Sequence, residues 1–283
     1  MRAAALPRSP VAPGRLRLLA ERAGWWLLSV GTMVTLWEVA AALDLVNRVI
    51  LPPPSVFVTE IQHQAQFLLP QIGVQRIGGN FVALTAIWAS LVRIISGLAL
   101  AFVAAVLVGS LAFSLRVFHK LTYPVITLLA PIAPVAWIPF ALVAFGIGDG
   151  AAIFVVFVGI FFVLELAAVN SMRNVDQHYI DTARVLGASR RQVMWHVIFP
   201  AILPNLFVIM RVNLFGAWMG VLTAEMVGVN TGLGTIVLVG RQMMNMNLTF
   251  LGMAMIGIVG YLLDAGLGLL QRRVLWWKSV AHV

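Results

Sequence analysis

The sequence predicts an all-α polytopic membrane protein with six transmembrane helices, and three observations carry that reading. Of its 283 residues, 61% are hydrophobic and 10% charged, whereas a soluble domain is roughly half apolar and a quarter charged. The apolar residues gather in six stretches: 24–43, 92–113, 121–146, 151–170, 202–226 and 249–270. Each approaches or exceeds the ~20 residues that a helix needs to cross the hydrocarbon. The basic residues are sorted by side. Segments 1–23, 114–120, 171–201 and 271–283 carry fourteen Lys and Arg, against only Arg48, Arg76 and Arg241 in segments 44–91, 147–150 and 227–248. Cytoplasmic loops collect such charge, so both termini are expected inside. The net charge of +9 then reports topology, not nucleic-acid binding. Cysteine is absent, which excludes disulfides and thiolate metal sites.

Residues 1–23 read as a basic cytoplasmic tail. A signal peptide is the rival reading, but the apolar stretch that follows is too long and lacks a small-residue cleavage site. The rest, 24–283, reads as a single transmembrane domain. Leu51-Pro-Pro-Pro54 cannot continue a helix, because proline lacks the N–H and constrains its predecessor. It opens an outer connection, 55–80, expected to hold a short surface helix. The third stretch contains Pro124, Pro131, Pro134 and Pro139. Prolines at this density free several carbonyls that lipid cannot satisfy. Pro131, Pro134, Trp137 and Pro139 are therefore candidates to line a translocation path, with a merely kinked packing helix as the alternative. No internal repeat is visible, which gives an inverted-repeat carrier no support.

A polar insertion separates the fourth and fifth stretches, and it is longer than a turn between helices requires. Asp176 is a plausible N-cap for a helix whose apolar face is Ile180, Ala183 and Leu186. Gly187 is placed to end it in a left-handed C-cap. Ser189 followed by Gln192 is a capping-box pattern, starting a second helix with a stripe of Val193, Met194, Val197 and Ile198. Pro200 and Pro204 are expected to close the unit. The prediction is a helix–glycine–helix hairpin at 175–200, presenting Arg184, Arg190 and Arg191 outward, with a basic interfacial hairpin resting on anionic lipid as the alternative.

Asp181-Thr182-Ala183, three residues, Gly187, nine residues, Val197, one residue and Phe199-Pro200 resemble the EAA motif of binding-protein-dependent ABC importer permeases. The motif runs Glu-Ala-Ala, Gly, Ile and Leu-Pro at the same spacing, and Asp181, Thr182, Val197 and Phe199 depart from it mildly. LPPPS (51–55), SLVRIISGLALA (90–101), PIAPVAWIP (131–139), FGIGD (145–149) and AEMVGVNTGLG (224–234) also resemble the nitrate/sulfonate/taurine branch of that family.

The resemblance implies a type I ABC importer permease fold in a bacterial inner membrane. It also implies a second copy of the permease, two cytoplasmic ATPase subunits and a periplasmic or lipid-anchored substrate-binding protein, with membrane lipid around them and no nucleic acid. The hairpin, through Asp181, Thr182, Ala183, Gly187, Ala188, Ser189, Arg190 and Pro200, would dock the ATPase. ATP and Mg would be bound by that partner, with no cofactor in this chain. No G-x-x-x-x-G-K-[ST] loop is present, so the chain is not expected to be an enzyme.

Six charged residues fall inside the apolar stretches, where each needs a partner or water. Depth counting puts Glu38, Arg93 and Glu225 near the outer side and Glu165, Arg211 and Asp264 nearer the inner side. Arg93, Glu165, Arg211 and Glu225 join the path candidates, with structural ion pairing as the alternative for each. Glu165, where the family usually has an apolar residue, is expected to pair with Arg211. The five histidines show no metal-ligand spacing, and the Met-rich run 241–250 reads as packing or an outer gate. Two other functions compete: an ion-coupled secondary transporter using the intramembrane carboxylates, and a membrane enzyme. The hairpin disfavours the first, and the absence of clustered catalytic groups the second.

Overall fold

The computed structural model describes residues 15–43, 51–59, 82–229 and 231–276. The described residues are almost wholly helical. Five helices are long and apolar enough to cross a membrane, or six if one bent pair counts as a span. Residues 1–14, Arg48, Arg76, most of the expected outer connection, His63, Lys278 and His282 lie outside the described residues.

The first of two units, residues 1–61, contains α1 (Arg15–Ala42) and the short α2 (Pro54–Thr59). Helix α1 begins nine residues before the expected boundary at 24, so part of the tail is helical; nothing in RLRLLAERA breaks a helix. Ser55 Oγ donates to Glu38 Oε1 at 2.6 Å, so this carboxylate holds the start of α2.

The second unit is built on α3 (Val82–Ser114), α6 (Asp149–Arg173) and α9 (Phe199–Gly228). Helix α6 is central, packing along α3 on one side and α9 on the other. In α3, Gly97, Ala101, Ala105 and Gly109 recur every four residues and form one small-residue stripe. A side chain on Gly97 would collide with Val156 of α6, and one on Gly109 would lie 3.1 Å from Ala168. Small residues let the two backbones approach, which is how helices associate where lipid provides no hydrophobic drive.

The third apolar stretch is not one straight helix. Helix α4 (Arg116–Leu129) stops, a 3₁₀ turn covers Pro134–Trp137, and α5 (Ile138–Phe145) leaves at 101° to α4. The break is packed, not loose. Pro134 sits in a notch between Gly159 of α6, whose absent Cβ would fall 2.7 Å from its ring, and Gly220 of α9, at 3.2 Å.

After α6 come α7 (Gln177–Val185) and the one-turn α8 (Arg190–Val193). Here the expectation that Pro200 and Pro204 close the hairpin is wrong. A π turn over Met194–Ile198 carries α8 directly into α9, giving one continuous helical run from Arg190 to Gly228. The wider turn, in which Phe199 N–H reaches Met194 O, spares the i−4 clash that proline brings to a regular helix. Helices α10 (Leu233–Gln242) and α11 (Met246–Val274) form a tight pair, with Gly240 against Thr249 and Gly252 against Val237.

Candidate functional site

The hairpin is held by local capping. Asp176 accepts from His178 N–H at 2.9 Å at the start of α7. At its end Gly187 takes φ 83°, its N–H reaching Arg184 O at 2.9 Å, while Ala188 N–H reaches Ala183 O at 3.0 Å. That pair of bonds is a Schellman motif. Ser189 N–H donates to Gln192 Oε1 at 2.8 Å and Gln192 N–H to Ser189 Oγ at 3.4 Å, completing the capping box. Ile180, Val193 and Ile198 are buried and root the hairpin in the core. Leu186 is not on that face as expected: it is the C-cap and stands 82% exposed beside Val185 at 87%. Asp181, Thr182, Gly187, Ser189 and Arg190 are exposed; Ala183, Ala188 and Pro200 are half-buried. Two arrangements thus sit together: a rigid elbow, and apolar side chains at its tip that no described residue covers.

Next to the elbow, between the end of α6 and the start of α9, lies an open cleft of about 680 Å³. Asn170, Ser171, Asn174, Asp176, Tyr179 and Asn205 give it a polar lining, and Asn205 Nδ2 donates to Ser171 Oγ at 2.6 Å. Of these only Asp176 was singled out in the sequence, as an N-cap, because scattered amides carry no motif.

At the opposite end of the second unit, Arg93 organises a buried polar cluster. Its Nη1 donates to Glu225 Oε1 at 2.7 Å and to Thr231 O at 2.6 Å; Nη2 donates to Thr231 Oγ1 at 2.6 Å, and Nε to Asp149 Oδ1 at 2.7 Å. Glu225 also accepts from Ser90 Oγ at 2.6 Å and from Gly234 N–H at 2.9 Å, while Leu233 N–H reaches Ser90 Oγ at 3.0 Å. Four elements, α3, α6, α9 and α10, are tied by this one network. Arg93 is 2% exposed and Glu225 0%, so neither offers a face to a path within this chain. Asp149 differs, being 71% exposed. Ser90, Asp149 and Thr231 escaped sequence reasoning, although each stands in or beside a quoted segment.

The expected pair of Glu165 and Arg211 does not form. Arg211 is claimed by Asp264 of α11, with Nε to Oδ1 and Nη2 to Oδ2 both at 2.6 Å. Depth placed three groups in one layer, but the rotation of α6 turns Glu165 inward, where it is 2% exposed. Among the described residues it makes no hydrogen bond or ion pair. Of the prolines, Pro131 and Pro139 are exposed and Pro134 is wedged as above. Trp137 is half-buried against Phe140, Phe154 and Phe162, and its indole N–H finds no partner among the described residues. The Met-rich run forms the α10–α11 turn, in which Asn245 Oδ1 caps α11 by accepting from Leu248 N–H at 3.1 Å.

Known proteins match this architecture. The model of the family described as "Binding-protein-dependent transport system inner membrane component" matches residues 97–276. The taurine transport system permease protein TauC of Escherichia coli is 33% identical over 259 residues, covering 89% of this chain and 90% of that protein. The bicarbonate transport system permease protein CmpB of Synechocystis is 30% identical, covering 84% of each chain. Inward-facing structures of the MetNI methionine ABC transporter share the fold, at a TM-score of 0.59 and 22% identity over 68% of this chain and 96% of theirs. With a family match running from the middle of α3 to the end of α11, the chain belongs to the binding-protein-dependent transport system inner membrane components, the permease subunits of ABC importers.

Proposed function

We propose that this permease is coupled to its ATPase through the 175–200 hairpin and that its cargo is a small oxyanion. The observation that carries the first part is the elbow itself. Val185 and Leu186 are exposed on a tip whose backbone is fixed by a Schellman motif and a capping box. A rigid lever with an apolar tip suits a partner that closes on ATP. On this reading two ATPase subunits bind ATP and Mg, a second copy of this chain completes the path, and a periplasmic or lipid-anchored protein delivers the solute. Both termini and the hairpin face the cytoplasm, as the distribution of Lys and Arg supports.

The relatives support the cargo class. Their names specify taurine, aliphatic sulfonates and bicarbonate, all bearing a compact oxygen-rich anionic head. The exposed stripe of α9, Ala201, Asn205, Val208, Val212, Phe215 and Met219, runs upward from the amide-lined cleft and is the candidate path wall.

The test is recovery of the ATPase with the permease from detergent extracts. Val185→Asp with Leu186→Asp should lower recovery at least tenfold while the permease stays inserted; full recovery would refute the docking role. Orientation is checked by single cysteines in this cysteine-free chain. Ile147→Cys should label from the periplasm and Ser189→Cys only after permeabilisation. Uptake of labelled taurine and bicarbonate by proteoliposomes tests the cargo class.

A further inference from the structure

Arg93 and Arg211, both ion-paired within the second unit, are held differently. The Arg93 guanidinium is enclosed and all its nitrogens donate. Arg211 is 44% exposed. Asp264 occupies its Nε and Nη2, while among the described residues Nη1 donates to nothing. Gly268 lies alongside, and a Cβ there would sit only 3.3 Å from Nη1, so glycine keeps that edge of the fork uncovered. Arg211 follows the start of α9 at Phe199, and Asp264 precedes the end of α11 at Val274. At ~1.5 Å per residue they lie ~18 Å and ~15 Å from the hairpin end of their helices. This is inside the span, where an ionisable group is expensive to keep and marks a solute path more often than a fold requirement.

We propose that the open edge of the Arg211 guanidinium is a solute subsite, binding the oxyanion head group of the transported molecule in passing. A guanidinium presents parallel N–H donors that match the oxygens of a sulfonate or bicarbonate. Alone at this depth it would hold an anion too firmly to release it. Asp264 cancels most of the charge while leaving one edge of donors, which gives the weak binding that permeation needs. The subsite rests on the oxyanion reading of the cargo.

The test uses the permease–ATPase complex in nanodiscs, titrated with methanesulfonate against chloride at constant ionic strength and read by thermal shift. Asp264→Asn removes the competing carboxylate and should bind methanesulfonate at least tenfold more tightly than wild type. Arg211→Gln with Asp264→Asn, which keeps a neutral hydrogen-bonding pair, should show no methanesulfonate-specific shift. Arg211→Lys, which retains the charge and loses the fork, should bind several-fold more weakly. A purely structural pair would leave the methanesulfonate-specific shift the same in every folded variant, whatever its thermal midpoint without the ion, and that result overturns the subsite. Uptake by the complete wild-type importer separates the two failures. If it carries labelled taurine or bicarbonate while the methanesulfonate-specific shifts stay equal, the subsite alone falls. If it carries only neutral or cationic solutes, the cargo reading falls and takes the subsite with it.

Discussion

Arg93 Nη1 and Glu225 Oε1 lie 2.7 Å apart with neither side chain open to solvent, joining the first half of α3 to the last turn of α9. Removing one member of such a pair leaves a buried charge unmatched and typically costs about 3–5 kcal/mol. Glu225→Ala is therefore expected to lower the midpoint of thermal unfolding sharply. Arg93→Met with Glu225→Met should recover much of the loss, since an apolar pair leaves no uncompensated charge between them. Asp149→Asn, at an exposed position, should cost no more than about 1 kcal/mol. A Glu225→Ala protein as stable as Asp149→Asn would mean that the network does not hold the fold.

Gly232 faces the same carboxylate. Its φ of 128° is a glycine conformation, and an added Cβ would overlap the head of Glu225. Strain of about 1–3 kcal/mol from the backbone alone is then joined by displacement of a buried charge. Gly232→Ala should be at least as damaging as Glu225→Ala in the same unfolding measurement, although it removes no hydrogen bond.

Gly187 makes the opposite case, because nothing lies within 4 Å of where its Cβ would be. Only its left-handed φ of 83° demands glycine. Asparagine tolerates that conformation and β-branched residues do not. Gly187→Asn should therefore keep ATPase attachment near wild type, while Gly187→Val re-aims α7 against α8 and weakens it. Equal co-purification of ATPase with both variants would show that elbow geometry is not what the partner reads.

Met244 holds φ 53° at the end of α10, with its N–H on Arg241 O at 3.1 Å and the following Asn245 N–H on Gly240 O at 2.8 Å. This is the same C-cap as at Gly187, made without glycine. The side chain is 77% exposed, so little packing is lost by deleting it. Met244→Gly should stabilise the protein by about 1 kcal/mol, seen as a rise in thermal midpoint. A fall would mean that the methionine packs against something outside the described residues.

What was legible in the sequence was local. Asp176, Gly187, Ser189 and Gln192 make their hydrogen bonds within five residues, so the hairpin could be written down from spacing and chemistry alone. Arg211 could be given a depth but not a partner, because choosing between Glu165 and Asp264 depends on how two helices are rotated. The amide-lined cleft was invisible for the same reason: Asn170 and Asn205 meet only after α6 and α9 have packed. Pro200 misled because a proline ends a regular α-turn, whereas a π turn can carry a helix through it.

The break at Pro134 follows the same logic across a longer distance in sequence. Proline density announced that the third stretch could not be a plain helix, but the receiving notch comes from Gly159 and Gly220. The wedge predicts a specific rescue. Gly159→Ala places a methyl only 2.7 Å from the Pro134 ring, and overpacking of this kind costs about 1–3 kcal/mol. Pro134→Ala alone leaves a small void beside two glycines. In the double variant the new methyl takes the space that the ring vacated, so the two losses should not add. The cycle is read by thermal unfolding of Gly159→Ala, Pro134→Ala and both together. Additive losses would show that the ring and the notch are independent, and that the 101° bend is set by the prolines alone.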